Sequence, residues 1–181
     1  MNIFFLDKDP RECARQHCDK HVVKMVIETA QLLSTAHRLL DGKKWIDKTA
    51  NNRRIKRWRH PDPKVDKILY KASHVNHPSN IWVRKTKTNY QWAHDFWRHL
   101  CTEFSERYGS EHLTFRKLNN LLDKTPRKID NYRFWEDPPQ CMPDYCKTEN
   151  TIEAYRNYYR NEKRSFAKWD RLNNTPSWFS V

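Results

Sequence analysis

The stretch Asp19–Leu40, DKHVVKMVIETAQLLSTAHRLL, decides the fold. A helix turns about 100° per residue. On that wheel Val22, Met25, Val26, Ile27, Ala30, Leu32, Leu33, Ala36 and Leu40 cover more than half the circumference, too wide an apolar surface for a helix lying on the outside of a protein. Lys20, His21, Lys24, Glu28, Gln31, Thr35 and Arg38 share the remaining sector, and Gly42 is a natural stop.

Outward from this helix the pattern changes. Towards the N-terminus, NIFFL (Asn2–Leu6) reads as a short β-strand. Asp7-Lys8-Asp9-Pro10 turns the chain, and Pro10 opens a helix to about Cys18. Residues 43–67 hold Lys43, Lys44, Lys48, Arg53, Arg54, Lys56, Arg57 and Arg59 with Trp45 and Trp58 interleaved, and Pro61 and Pro63 forbid a continuous helix. This stretch reads as a basic, partly flexible loop. Order returns at Ile68. His77-Pro78 marks a turn, with Ser79 or Asn80 capping a helix through Arg84. Residues 89–108 carry Ala93, Phe96, Trp97, Leu100, Cys101, Phe104 and Tyr108 at buried-face spacing, and Gly109 ends the run. A shorter helix covers Phe115–Leu122. An ordered aromatic loop follows over 124–147, and a last helix is capped by Asn150 with Glu153. The expected fold class is mainly α: one helical-bundle domain over residues 1–181, with a short N-terminal β-strand and a long basic loop.

Composition narrows the function. Thirty-five Lys and Arg stand against 22 Asp and Glu, a formal charge of +13, which favours a polyanionic partner because each phosphate contact releases counterions. DNA is the favoured partner, and the pattern leaves the oligomeric state open. No apolar run reaches membrane-spanning length and no signal peptide is visible, so a cytoplasmic protein without a membrane partner is expected. The 8 Trp can build a dense core, and the 2 Gly argue against turn-rich β architectures. An odd count of 5 Cys suits free thiols in a reducing compartment. Cys13, Cys18, Cys141 and Cys146 lie at the loose end of structural zinc spacings. No metal and no cofactor is expected.

Two groups of residues carry candidate chemistry. His21, Lys24, Glu28 and Gln31 are spaced three, four and three apart and stand one above another. An amine, an imidazole and a carboxylate packed together can shift one another towards neutrality, and a lysine so tuned attacks a sugar carbon. Without a cleft, the same line is a solvated stripe with a surface ion pair. His37, on the apolar side, reads as a core histidine. The second group is His77, Arg84, Lys85, Lys87, Asn89 and Tyr90, where cations and a helix start suit phosphate, and Tyr90, Trp82 or Trp92 suit base stacking. Arg53, Arg54, Arg57 and Trp58 of the basic loop extend that surface.

The opening MNIFFLDKDP, the block HCDKHVVKMVIETAQLLSTAHR at 17–38, the segment NHPSNIWVRKTKTNYQW at 76–92 and the ending IEAYRNYYRNEKRSFAKW at 152–169 together resemble a family of small proteins frequent in phage and bacterial genomes. The likeness covers most of the chain except 43–67, which looks like an insertion. More distantly, the charged early helix, Asn76-His77-Pro78 and the helix ending in Arg107-Tyr108 resemble the endonuclease V type of pyrimidine-dimer DNA glycosylase. That resemblance implies nucleotide flipping, cleavage of the glycosidic bond and then of the abasic site. Some members use the amino group of a residue exposed by removal of Met1. Here Asn2 follows Met1 and does not favour that removal, so Lys24 or Lys20 is the expected amine, Glu28 its carboxylate and His21 a proton-transfer group or orienter. The expected activity is thus a DNA glycosylase with lyase activity on a damaged or modified pyrimidine. The alternatives are a nucleic-acid-binding or host-inhibiting module without chemistry, and an enzyme acting on nucleotides or RNA.

Overall fold

The computed structural model describes residues 1–179. Its elements are α1 (Pro10–Arg15), α2 (Asp19–Asp41), β1 (Lys43–Lys48), β2 (Arg54–Arg59), α3 (Pro63–Ile68), α4 (Pro78–Val83), α5 (Lys87–Tyr108), α6 (Leu113–Leu122) and α7 (Thr151–Tyr158). Three of the short helices begin with proline at their first position. Asp9 and Asp62 cap two of them, and His77 caps α4 through Nδ1 to the Ser79 amide at 3.2 Å. Gly109 closes α5 at φ +67, the left-handed conformation that glycine adopts most readily.

Two long helices organise the chain. α2 packs along α5, and the Trp97 indole donates to the Val26 carbonyl at 3.1 Å. Between them and around them lie Val22, Met25, Leu32, Leu33, Phe96 and Leu100, all fully buried. The Arg107 side chain, 0 % exposed, ties the end of α5 to the α1–α2 junction: it donates to the carbonyls of His17 and Arg15 and to the carboxylates of Asp19 and Glu103. At the other end of α2, Arg38 donates to the carbonyls of Trp58, Asp66, Leu69 and Tyr70 and to the Asp66 carboxylate. Its polar position in the α2 pattern therefore marks an internal brace.

The expected architecture needs correcting in three places. Residues 2–6 form no strand. They run as a buried thread with no neighbouring strand, and Phe4 and Leu6 find partners in Cys13 and Arg156 instead. Residues 43–67 are not a loop. β1 and β2 form an antiparallel hairpin, with Lys43 opposite Arg59 and Lys48 opposite Arg54, followed by α3. Asn52 takes the positive φ of 61 that closes the turn. Gly42 joins the hairpin to α2 so tightly that a Cβ there would lie 2.3 Å from the Arg38 carbonyl oxygen and 2.8 Å from that of Arg59. Finally, where a helical bundle is expected, the described residues form two long helices with five short ones around them.

α7 also ends earlier than its apolar spacing suggests. A π-turn over Tyr159–Lys163 follows it, and Trp169, in irregular chain, and Trp178, in a 3-10 turn over Ser177–Phe179, pack back, donating to the Gln16 carbonyl and side-chain oxygen at 3.1 and 2.7 Å. The cysteines gather no metal-holding cluster among the described residues. All five are free, and burial pushes the Cys13 thiol up to about 12. No helix among the described residues is long and apolar enough to cross a membrane.

Candidate active site and nucleic-acid interface

The N-terminal thread is the first component of the candidate site. Asn2 donates to the Cys141 carbonyl at 2.9 Å and accepts from the Tyr155 hydroxyl at 2.9 Å, while Ile3, Phe5 and Leu6 are fully buried. This anchoring delivers the α-ammonium group of Met1 to 3.7 Å from Glu28 Oε2. Lys24 Nζ stands 3.5 Å from the other oxygen, Oε1. Glu28 therefore lies between two amines with its side chain 17 % exposed, whereas Lys24 is 58 % exposed. A cleft of about 370 Å³ opens here, lined also by Phe4, His21, His77, Tyr158, Lys163 and Phe166. Three of its groups are cationic and Glu28 is the one carboxylate in the lining.

His21 lies in the wall of this cleft. Its Nδ1 pairs with the Tyr159 hydroxyl at 2.5 Å, and its ring lies 4.5 Å from that of Phe4. Burial, helped by the positive charge of Lys24 and Lys163, pushes it down to about 3. The ring is therefore neutral at neutral pH, packed between Phe4 and the Tyr159 hydroxyl. Lys20 lies over the Phe166 ring at 5.6 Å, outside the lining, and is not brought to Glu28. His77, expected at the nucleic-acid surface, lines this cleft instead. Burial and the nearby N-terminal charge lower its basicity, and Glu28 opposes them.

The second group of sequence candidates disperses. Asn89 and Tyr90 are 1 % exposed. Asn89 donates to the Trp82 carbonyl at 3.0 Å, and Tyr90 to the Leu122 carbonyl at 3.0 Å, so neither meets a nucleic acid. Trp82 and Trp92 are core residues whose indoles donate to the Glu136 and Lys8 carbonyls. Arg84 is half-buried and donates to Asn80 at 3.1 Å, and Lys85 pairs with Glu136. Lys87 lines a separate surface hollow with Gln91, Asn131 and Arg133. Two rings that do face solvent flank Arg133 of that hollow: Tyr132, 62 % exposed, and Phe134, 55 % exposed. The aromatic segment 124–147, expected as an ordered loop packed on the domain, leaves these two rings in solvent.

The hairpin is the strongest cationic feature. From the strand register, Lys44, Ile46, Lys48, Arg54, Lys56 and Trp58 share one face. The opposite face holds Lys43, Trp45, Asp47, Ile55, Arg57 and Arg59. Arg57 reaches Asp47 at 3.7 Å and Arg59 lies over Trp45 at 5.5 Å, while Arg53 and Arg54 are exposed at the turn. Comparison with family models, curated proteins and solved structures returns no significant match, so function is read from geometry alone.

Proposed function

We propose that the chain is a DNA glycosylase with lyase activity, working through an amine held on Glu28. The observation that supports this is the carboxylate between two amines in a cationic cleft: Met1 at 3.7 Å and Lys24 at 3.5 Å. In that chemistry a free amine attacks C1′ of a flipped nucleotide, and the base leaves with the bonding electrons and takes up a proton. The resulting imine loses a proton from C2′ and expels the 3′ phosphate, and water then releases the amine. Glu28 would take the proton from the attacking ammonium and stabilise the cationic imine. Asn2 would hold the α-amine in place, which favours attack from Met1 over the more exposed Lys24. The hairpin would supply phosphate contacts, and a two-stranded ribbon has the width to enter the major groove.

Borohydride trapping on abasic-site DNA tests this reading. The expected result is a covalent adduct that peptide mapping assigns to the Met1 α-amine or to Lys24. Absence of an adduct, or an adduct that persists when Lys24→Ala is combined with a blocked N-terminus, overturns it.

One observation favours a second reading, a nucleic-acid-binding module without chemistry: the cation-dense hairpin has the single carboxylate Asp47 within its strands. That reading expects binding that weakens steeply with salt, loses about one unit of salt slope per cation removed at Arg53 and Arg54, and is indifferent to Glu28→Gln.

A further inference from the structure

The C-terminal end of α2 carries a second cleft, also of about 370 Å³, which the amine site does not use. His37 and Asp41, one turn apart on α2, meet His60, the residue after β2. One nitrogen of each histidine and one carboxylate oxygen lie within 4.8 Å of one another, the one such cluster among the described residues. We propose that His37, Asp41 and His60 bind a zinc-class divalent cation whose remaining coordination position opens onto the cleft.

The donor set favours this class of ion. Two imidazoles and a carboxylate suit zinc and its transition-metal neighbours better than magnesium or calcium, which prefer all-oxygen shells. Three protein ligands with an open position is the arrangement of reactive, not purely structural, zinc. Around a tetrahedral ion with bonds of about 2.1 Å, ligand atoms stand about 3.4 Å apart. His60 Nε2 and Asp41 Oδ2 are 3.9 Å apart, so a modest contraction closes that edge.

The surroundings already orient two of the three ligands. The Tyr90 hydroxyl donates to the Leu122 carbonyl, so its oxygen accepts from His37 Nε2 at 2.9 Å. That leaves the His37 Nδ1 lone pair free for a metal, as an outer hydrogen bond does in known metal sites. Asp41 accepts from the Arg127 and Lys128 amides at 2.9 and 3.0 Å, which fixes its plane while each oxygen keeps a second lone pair. His60 accepts at Nδ1 from the exposed Asp62 amide at 3.2 Å. Binding at Nε2 moves the ring proton to Nδ1 and releases that amide to water. Lys64, Lys124 and Arg127 also line the cleft, so the open position suits an anionic oxygen, such as that of a phosphate, more than a second cation.

The experiment uses the full chain, stripped with a chelator and titrated with zinc chloride by calorimetry and with cobalt(II) by visible absorption. One equivalent should bind, with a cobalt spectrum free of thiolate charge-transfer bands. His60→Ala, which truncates a side chain 9 % exposed just outside β2, should weaken binding at least 100-fold, with circular dichroism of the metal-free chain checking that the fold is kept. Tyr90→Phe removes only the orienting hydroxyl and should weaken binding about 10–100-fold. Failure to bind one equivalent at micromolar metal, unaltered affinity in His60→Ala, or a thiolate band in the wild-type cobalt spectrum each overturns the site. The last two readouts also separate it from adventitious binding at the free cysteines. None of these outcomes depends on the amine reading.

Discussion

Two carboxylates on the same helix, about 20 Å apart along α2, are held in opposite ways. Glu28 meets two amines at 3.5 and 3.7 Å and receives no backbone hydrogen bond from the described residues. Asp41, with a side chain 6 % exposed, is fastened by two backbone amides at 2.9 and 3.0 Å. Each has a helical neighbour four residues earlier, Lys24 and His37, so local spacing does not distinguish them. What differs is the partner supplied from elsewhere: a chain terminus for one, and two amides of the loop after α6 for the other. A carboxylate held only by loose charge contacts can accept a proton or follow a developing cation. One pinned by amides can orient a loop or a metal, but does not move.

Removing the charge at each end is the sharpest way to break this contrast. Glu28→Gln should lower abasic-site cleavage about 100- to 10,000-fold, measured under single-turnover conditions, with the urea midpoint almost unchanged. A variant that keeps full activity would erase the functional half of the contrast. At the braced end, Arg38→Ala should cost about 3–5 kcal/mol in urea unfolding, because it leaves the carbonyls and carboxylate around it unpaired. A loss below about 1 kcal/mol would show that the hairpin is not anchored there.

Acid should probe both ends together. Burial pushes His17 and His21 down to about 3 and His37 down to about 4, against an ordinary 6.5. The unfolded chain then takes up protons before the folded one does. The stability these rings contribute is complete above pH 6.5 and is lost as the pH falls towards 4 for His37 and 3 for the others. Each should contribute about 2 kcal/mol of the loss between pH 7 and pH 5, seen as a shift in urea midpoint that His17→Gln reduces. Of the three rings, only His17 and His21 should add to the loss below pH 4. The smallest effect should be that of Lys24→Ala on stability, within about 0.5 kcal/mol, because the Lys24–Glu28 pair is exposed on its lysine side. A larger loss would mean that Glu28 is braced after all.

The two ends were unequally readable from sequence. The line His21–Lys24–Glu28 follows from helical spacing, and the structure does put Lys24 and Glu28 beside a cleft. Nothing in that spacing announces the Met1 amine, 27 positions before Glu28, or the packing that makes His21 a neutral ring on Tyr159. His37 was read as a core histidine, which its burial matches, but its convergence with His60 depends on the hairpin turning back at Asn52. The hairpin was missed because its strands are cationic on both faces and show no apolar alternation. The strand expected at 2–6 had the right composition, yet no second strand lies beside it.

Periodicity and capping by themselves determined the helices that pack along their whole length, α2 and α5, and most of the prolines and glycines that begin and end elements. Those signals are local: they come from backbone sterics and from which face of a helix is apolar. Which carboxylate would face amines and which would be pinned was decided only by the folded chain. Pairing of strands, delivery of a terminus and desolvation of a ring all depend on residues far apart in sequence, and a local pattern carries no energy term for them.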